Sequence, residues 1–170
     1  TISNMKEEQD ATSPSFKKVG PFFGSAKNID IIRYADVLLW KAEALIELDR
    51  QAEALPLINQ VRVRAQNSTS RTRFANGTAP SNYQISPYVD GVNINWTKEN
   101  ARKALQWERR LEFAMEGSRF FDLVRWGIAS ETLNAYLSIE KRKRSYLSAA
   151  AFTKGRDEYF PIPQKQIDLT

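Results

Sequence analysis

The sequence predicts an all-α fold: a close pair of helices packed with further helices and joined by long loops. Three observations predict it. Apolar residues recur at steps of three and four through 30–66 and again through 97–127, which gathers them on one face of a helix. Within 30–66 the periodic text breaks once, near Asp49, Arg50 and Gln51, as it does between two antiparallel helices. The segments 1–29 and 67–96 carry no helical period and are rich in Ser, Asn, Thr, Gly and Pro, the composition of loops.

Composition bounds the function. The 170 residues are about the size of one domain, and four Trp, nine Phe and six Tyr suffice for a core. No stretch approaches the roughly 20 apolar residues needed to span a bilayer. The chain opens on Thr1 without an initiator Met, so a processed product or a piece of a longer protein is expected. With no Cys and no His, the chain supplies no disulfide, thiolate nucleophile, imidazole base or zinc site of the usual kind. Neither GxGxxG nor GxxxxGK occurs, and no cofactor or metal is expected. A net charge of +5 would suit nucleic acid or an anionic membrane. The one concentrated basic run, Lys141-Arg142-Lys143-Arg144, has only Tyr146 close by and no nucleic-acid module around it. It reads as a solvated helix face, and no nucleic-acid partner is expected.

Taken in order, 1–29 is an extended lead-in broken at Ser13-Pro14, Gly20-Pro21 and Gly24-Ser25, with Phe16, Phe22 and Phe23 expected to pin it down. In 30–66, Leu38, Ala42, Leu45, Ala54, Ile58 and Val61 follow the large and small alternation of a tetratricopeptide-like helix pair, where the alanines let two backbones approach. Pro56 predicts a bend or a late start in the second helix. One such repeat leaves a face open, because about three are needed for a solenoid. Either the later helices take the neighbour's place or further repeats precede Thr1.

The segment 67–96 is too long for an ordinary connection in a compact domain. Tyr83, Tyr88 and Trp96 are the rings a sugar could stack on, with Asn76, Asn82 and Asn93 as hydrogen-bond partners; in the other reading the rings simply pin a surface insertion. The segment 97–127 is the most strongly patterned. Thr97 is its N-cap, Glu99 sits in its first turn, and Arg125 and Gly127 mark its end. Ala104, Trp107, Leu111, Ala114, Ser118 and Phe121 form the expected buried stripe, and Gly117 predicts a kink or two abutting helices. Glu108 and Glu112, four apart, could be read as a general acid and base; the expected role is instead a charge ladder with one or two buried ion pairs to a neighbouring helix. In 128–170, Ser130 is expected to cap a helix through about Ala151 with Leu133, Tyr136, Leu137 and Leu147 inward. A turn at 154–157, an extended 159–163 and a short helical turn at 164–168 follow.

Three of these segments carry a resemblance. ERRLEFAMEGSRFFDLVRWG, RYADVLLWKAEALIELDRQAEALPLINQVRVRA and EYFPIPQKQID are similar, in the same order along the chain, to segments of the SusD/RagB family of surface glycan-binding lipoproteins of Bacteroidetes. In the second segment Arg33, Tyr34, Ala35, Leu38 and Leu39 open the helix and Asn59, Val61, Arg62, Arg64 and Ala65 close the pair; Asp36 stands where the family usually has Glu, which keeps the charge. The resemblance implies a C-terminal SusD-like portion of a surface-exposed outer-membrane protein. It implies a non-catalytic role: binding an oligosaccharide and handing it to a SusC-like TonB-dependent transporter. Membrane attachment would come only through an N-terminal lipid outside this chain. No glycan-binding position of the family carries over residue by residue. The alternative is a helical-repeat adaptor whose concave face binds another protein.

Overall fold

The computed structural model describes the backbone of residues 16–19 and 22–25, and residues 30–71 and 73–169 in full. The chain divides into two compact units, Thr1–Met115 and Glu116–Thr170.

In the first unit, α1 (Tyr34–Glu47) and α2 (Gln51–Ser68) form the expected pair. The turn between them is a Schellman closure: Asp49, at φ 61°, donates its N–H to the Ile46 carbonyl at 3.2 Å, and Arg50 donates to Leu45 at 2.8 Å. All six of the positions read as the pair's interface, Leu38, Ala42, Leu45, Ala54, Ile58 and Val61, are buried. The helix starts at Gln51 and continues through Pro56, so of the expected bend or late start the late start does not occur.

The third helix, α3 (Lys98–Glu112), closes the open side of the pair. Its N-cap is Thr97, whose hydroxyl accepts the Asn100 N–H at 3.2 Å. Ion pairs fix its direction. Its start meets the end of α1 through Arg102 and Glu47 at 2.7 Å, and its end meets the start of α1 through Glu112 and Arg33 at 2.8 Å. It therefore runs antiparallel to α1. Leu39, Ile46, Ile58 and Leu105 are fully buried in the shared core, each contributing roughly 1.5–3 kcal/mol relative to exposure.

The buried face of α3 differs from the expected stripe. Ala101, Ala104, Leu105, Glu108, Arg109 and Glu112 face inward, whereas Trp107 and Leu111 are 54% and 62% exposed and Ala114 is exposed. The period is the same and the face is rotated, because the inward carboxylates find guanidinium partners just before α1 and on α2 that make their burial tolerable. The helix also stops at Glu112. Met115 (φ 65°) and Gly117 (φ 85°) take left-handed backbone conformations before α4 (Arg119–Arg125), so two helices occupy the patterned segment.

The lead-in contains an element the sequence does not announce, an antiparallel hairpin of β1 (Phe16–Val19) and β2 (Phe22–Ser25) with Val19 opposite Phe22. The expected anchoring by the Phe16, Phe22 and Phe23 rings lies outside the described residues.

In the second unit, α4 ends in another Schellman closure: Gly127, at φ 70°, donates to Val124 and Ile128 donates to Leu123. Phe121, expected inside, is 62% exposed, and Leu123 and Ala129 are buried instead. The next helix, α5 (Ala129–Glu140), is shorter than expected and begins without a Ser130 side-chain cap. Its side-chain amide at Asn134 brackets the Phe152 backbone, accepting its N–H and donating to its carbonyl, both at 2.9 Å. Phe152 meets Phe120 edge-on at 6.3 Å. Four residues of helix, α6 (Gln164–Ile167), follow the extended Pro161-Ile162-Pro163.

Candidate functional site

The long loop after α2 is held by that helix. Asn59 brackets Tyr88, donating to its carbonyl at 2.8 Å and accepting its N–H at 2.7 Å. One turn on, Arg62 donates to the Ser86 carbonyl at 2.7 Å and lies 4.1 Å over the Tyr88 ring. Burial pushes the Tyr88 hydroxyl pKa up. Trp96 is 7% exposed, its indole N–H donates to the Gln51 carbonyl at 2.7 Å, and its ring meets Tyr88 at 5.8 Å. Asn93 ties the loop to itself through the Val89 N–H and the Pro87 carbonyl, and Asn76 turns back on Thr78. Of the three rings singled out from sequence, Tyr88 and Trp96 are thus engaged in packing. Tyr83, 38% exposed, retains a face open to solvent, and Asn82 beside it is exposed.

The paired carboxylates of α3 lie in the seam of the three helices. Glu108 accepts from Arg62 at 2.8 Å, and Glu112 accepts from Arg33 at 2.8 Å and from Arg64. Arg109 faces Asp36 at 3.6 Å, and both Arg33 and Arg109 lie 4.9 Å from the centre of the Phe113 ring. Loss of solvent raises the pKa of Glu108, and the hydrogen bond and charge of Arg62 oppose that rise. A general acid must reach a substrate proton; these oxygens are turned to guanidinium groups and serve as ionic cross-links. Sequence reasoning expected buried ion pairs here but not their partners. Arg33, Arg62 and Arg64 were visible as residues of the family-like segments, and nothing in their local spacing marked them as partners of Glu108 and Glu112.

Two further features gather polar groups. An open groove of about 490 Å³ runs along the C-terminal half of α2, lined by Gln60, Val63, Arg64, Asn67, Ser68 and Arg71. The basic run 141–144 lies in a turn after α5 rather than on a helix face, with Glu140 pairing to Lys143 and Arg144. Among the described residues, no group of His, Cys, Asp or Glu is arranged to hold a metal, and no helix is long and apolar enough to cross a membrane.

Comparison with known proteins adds a lineage. Residues 22–170 match the model of the SusD family. The chain is similar to SusD-like protein P38 of Formosa agariphila, 41% identical over 106 residues, which is 62% of this chain and 18% of the relative. It is also similar to SusD-like protein P25 of the same organism, 35% identical over 108 residues, 64% of this chain and 17% of that relative. The matches thus span less than a fifth of the length of these curated relatives.

Proposed function

The chain belongs to the SusD family, and from that premise we propose that it is part of a non-catalytic protein of the outer-membrane surface that binds oligosaccharides for uptake. The family match across residues 22–170 carries this reading. The partner it calls for is a SusC-like TonB-dependent transporter that receives the ligand. The engagement of Glu108 and Glu112 by arginines supports a binding role over hydrolysis, since neither carboxylate is free to act as acid or base. A sugar needs an aromatic face for its C–H groups and amide or guanidinium groups for its hydroxyls. Tyr83 is the ring this reading assigns to that contact, with Asn82 as a neighbouring polar group, while Tyr88 and Trp96 shape the loop that carries them.

The test is calorimetric titration of the full-length protein with a panel of oligosaccharides, comparing wild type with Tyr83→Ala. Tyr83→Ala weakens binding about three- to tenfold, the scale of one aromatic contact, and leaves the melting temperature unchanged. Failure of the wild type to bind any oligosaccharide overturns the reading. Co-purification of a TonB-dependent barrel from solubilised membranes tests the partner separately.

A further inference from the structure

The basic turn after α5 is not absorbed by the reading above. Four consecutive cations, Lys141 to Arg144, follow one carboxylate in the sequence, Glu140, which pairs with two of them. Glu140 is 8% exposed and takes Lys143 at 3.3 Å and Arg144 at 3.1 Å. The backbone is closed over it as well: the N–H groups of Lys143 and Arg144 both donate to the Glu140 carbonyl at 2.9 Å. The cations are thus carried on a fixed turn with an excess of positive charge. Two tyrosines flank them, Tyr136 at 52% and Tyr146 at 78% exposure. Glu140 first, and then Tyr146 and Tyr136, push the Arg144 pKa further up, so both phenols lie within its electrostatic reach.

We propose that this turn is a binding site for negatively charged sugar, with Arg142, Lys143 and Arg144 engaging a carboxylate or sulfate and Tyr146 offering its ring to the pyranose. The proposal rests on the glycan-binding reading and specifies a ligand class for it. Guanidinium groups match carboxylate and sulfate oxygens in paired hydrogen bonds, and an exposed phenol supplies both a stacking face and a hydroxyl. An anionic lipid surface also attracts basic clusters; it is the poorer fit because it offers no sugar ring for Tyr146 and because no amphipathic helix runs through the cations to add apolar burial. Here α5 ends before them, and among the described residues only a 3-10 turn, Ser145–Leu147, intervenes before Gln164.

The experiment titrates the full-length protein with oligogalacturonate, chondroitin sulfate oligomers and neutral malto-oligosaccharides of equal length, and with phosphatidylglycerol vesicles. Expected is at least tenfold tighter binding of an acidic oligomer than of the neutral one, with galacturonate against sulfate telling which anionic group is taken. The double variant Arg142→Gln, Lys143→Gln abolishes that preference and leaves neutral binding as it was. Tyr146→Ala weakens acidic binding at least threefold at about 0.15 M and at about 0.5 M salt alike, which a diffuse ion atmosphere does not do. Equal binding of acidic and neutral oligomers overturns this site and leaves the family-level reading standing. An acidic preference indifferent to Tyr146→Ala, or vesicle binding as tight as glycan binding, overturns it in favour of plain charge attraction. Absence of binding to every oligosaccharide overturns both.

Discussion

Arg62 and Glu108 meet at 2.8 Å with side-chain exposures of 14% and 5%, and the same guanidinium holds the Ser86 carbonyl and the Tyr88 ring. One ion pair therefore joins α2, α3 and the long loop. Removing one member strands the other in a site with little water. Glu108→Ala is expected to destabilise by about 3–5 kcal/mol, and Arg62→Ala by a similar amount. The exposed pair Arg50 and Glu53, at 55% and 56%, is screened by solvent and is expected to contribute far less. Urea unfolding of Glu108→Ala beside Glu53→Ala checks the ranking; equal losses would remove the seam from the account of stability.

The same carboxylate gives a pH dependence opposite to that of the surface acids. Burial raises the folded pKa of Glu108 above its ordinary 4.5. Its contribution is then fully present below 4.5 and is lost as pH rises through the raised value. Wild type should therefore gain stability over Glu108→Gln as pH falls from neutrality towards 4.5, measured as the difference between their unfolding free energies. A difference that shrinks on acidification contradicts it.

Asp157 behaves the other way. The hydrogen bond from Arg156, and then the Thr153 backbone N–H, bring its pKa down from 3.8 to about 2. Stability from this group is present above 3.8 and disappears as pH falls through about 2. Carboxyl carbon shifts followed by NMR should show Asp157 titrating near 2, and Arg156→Ala should move that midpoint towards 3.8.

How far the sequence could be read follows from which information is local. The α1–α2 interface was legible because the spacing of Leu38, Ala42 and Leu45 against Ala54, Ile58 and Val61 is a property of two short helices and one turn. The inward face of α3 was not, since Glu108 and Glu112 are buried only because Arg62, Arg64 and Arg33 wait 46, 48 and 79 residues away. Periodicity cannot see such partners, so it assigned the core to Trp107 and Leu111. The end of α5 at Glu140 was missed for a related reason. The N–H groups of Lys143 and Arg144 both turn onto the Glu140 carbonyl instead of extending the helix, a closure that the apolar spacing out to Leu147 does not register. In the loop, the aromatic anchors were legible as a class; which ring remains open depends on the Gln51 carbonyl and Asn59, outside the loop itself.

Two tryptophans eleven residues apart should therefore differ sharply. Trp96 is buried and its indole N–H is committed to Gln51 at 2.7 Å; Trp96→Ala is expected to cost about 3–5 kcal/mol. Trp107, 54% exposed with Arg110 over its ring at 4.9 Å, loses little when truncated, under about 1 kcal/mol. Chemical denaturation of the two variants separates the observed face of α3 from the stripe expected from spacing, which would give Trp107→Ala the larger loss.

Two left-handed backbone positions, Met115 and Gly117, mark the break between α3 and α4. Gly117 sits at φ 85°, and a Cβ added there would meet nothing within 4 Å. Any penalty for Gly117→Ala is therefore the left-handed backbone itself, about 1–2 kcal/mol. Were φ negative, the same change would stabilise by about 0.4–1 kcal/mol by restricting the unfolded chain, so the sign of the effect is diagnostic. Met115, at φ 65° and 64% exposed, already bears such a penalty without a glycine to relieve it. Met115→Gly should then recover part of the strain, offset by the greater freedom of glycine in the unfolded state, and leave stability within about 1 kcal/mol of wild type. Thermal melts of the two variants decide it: stabilisation by Gly117→Ala would mean that 97–127 is one continuous helix after all.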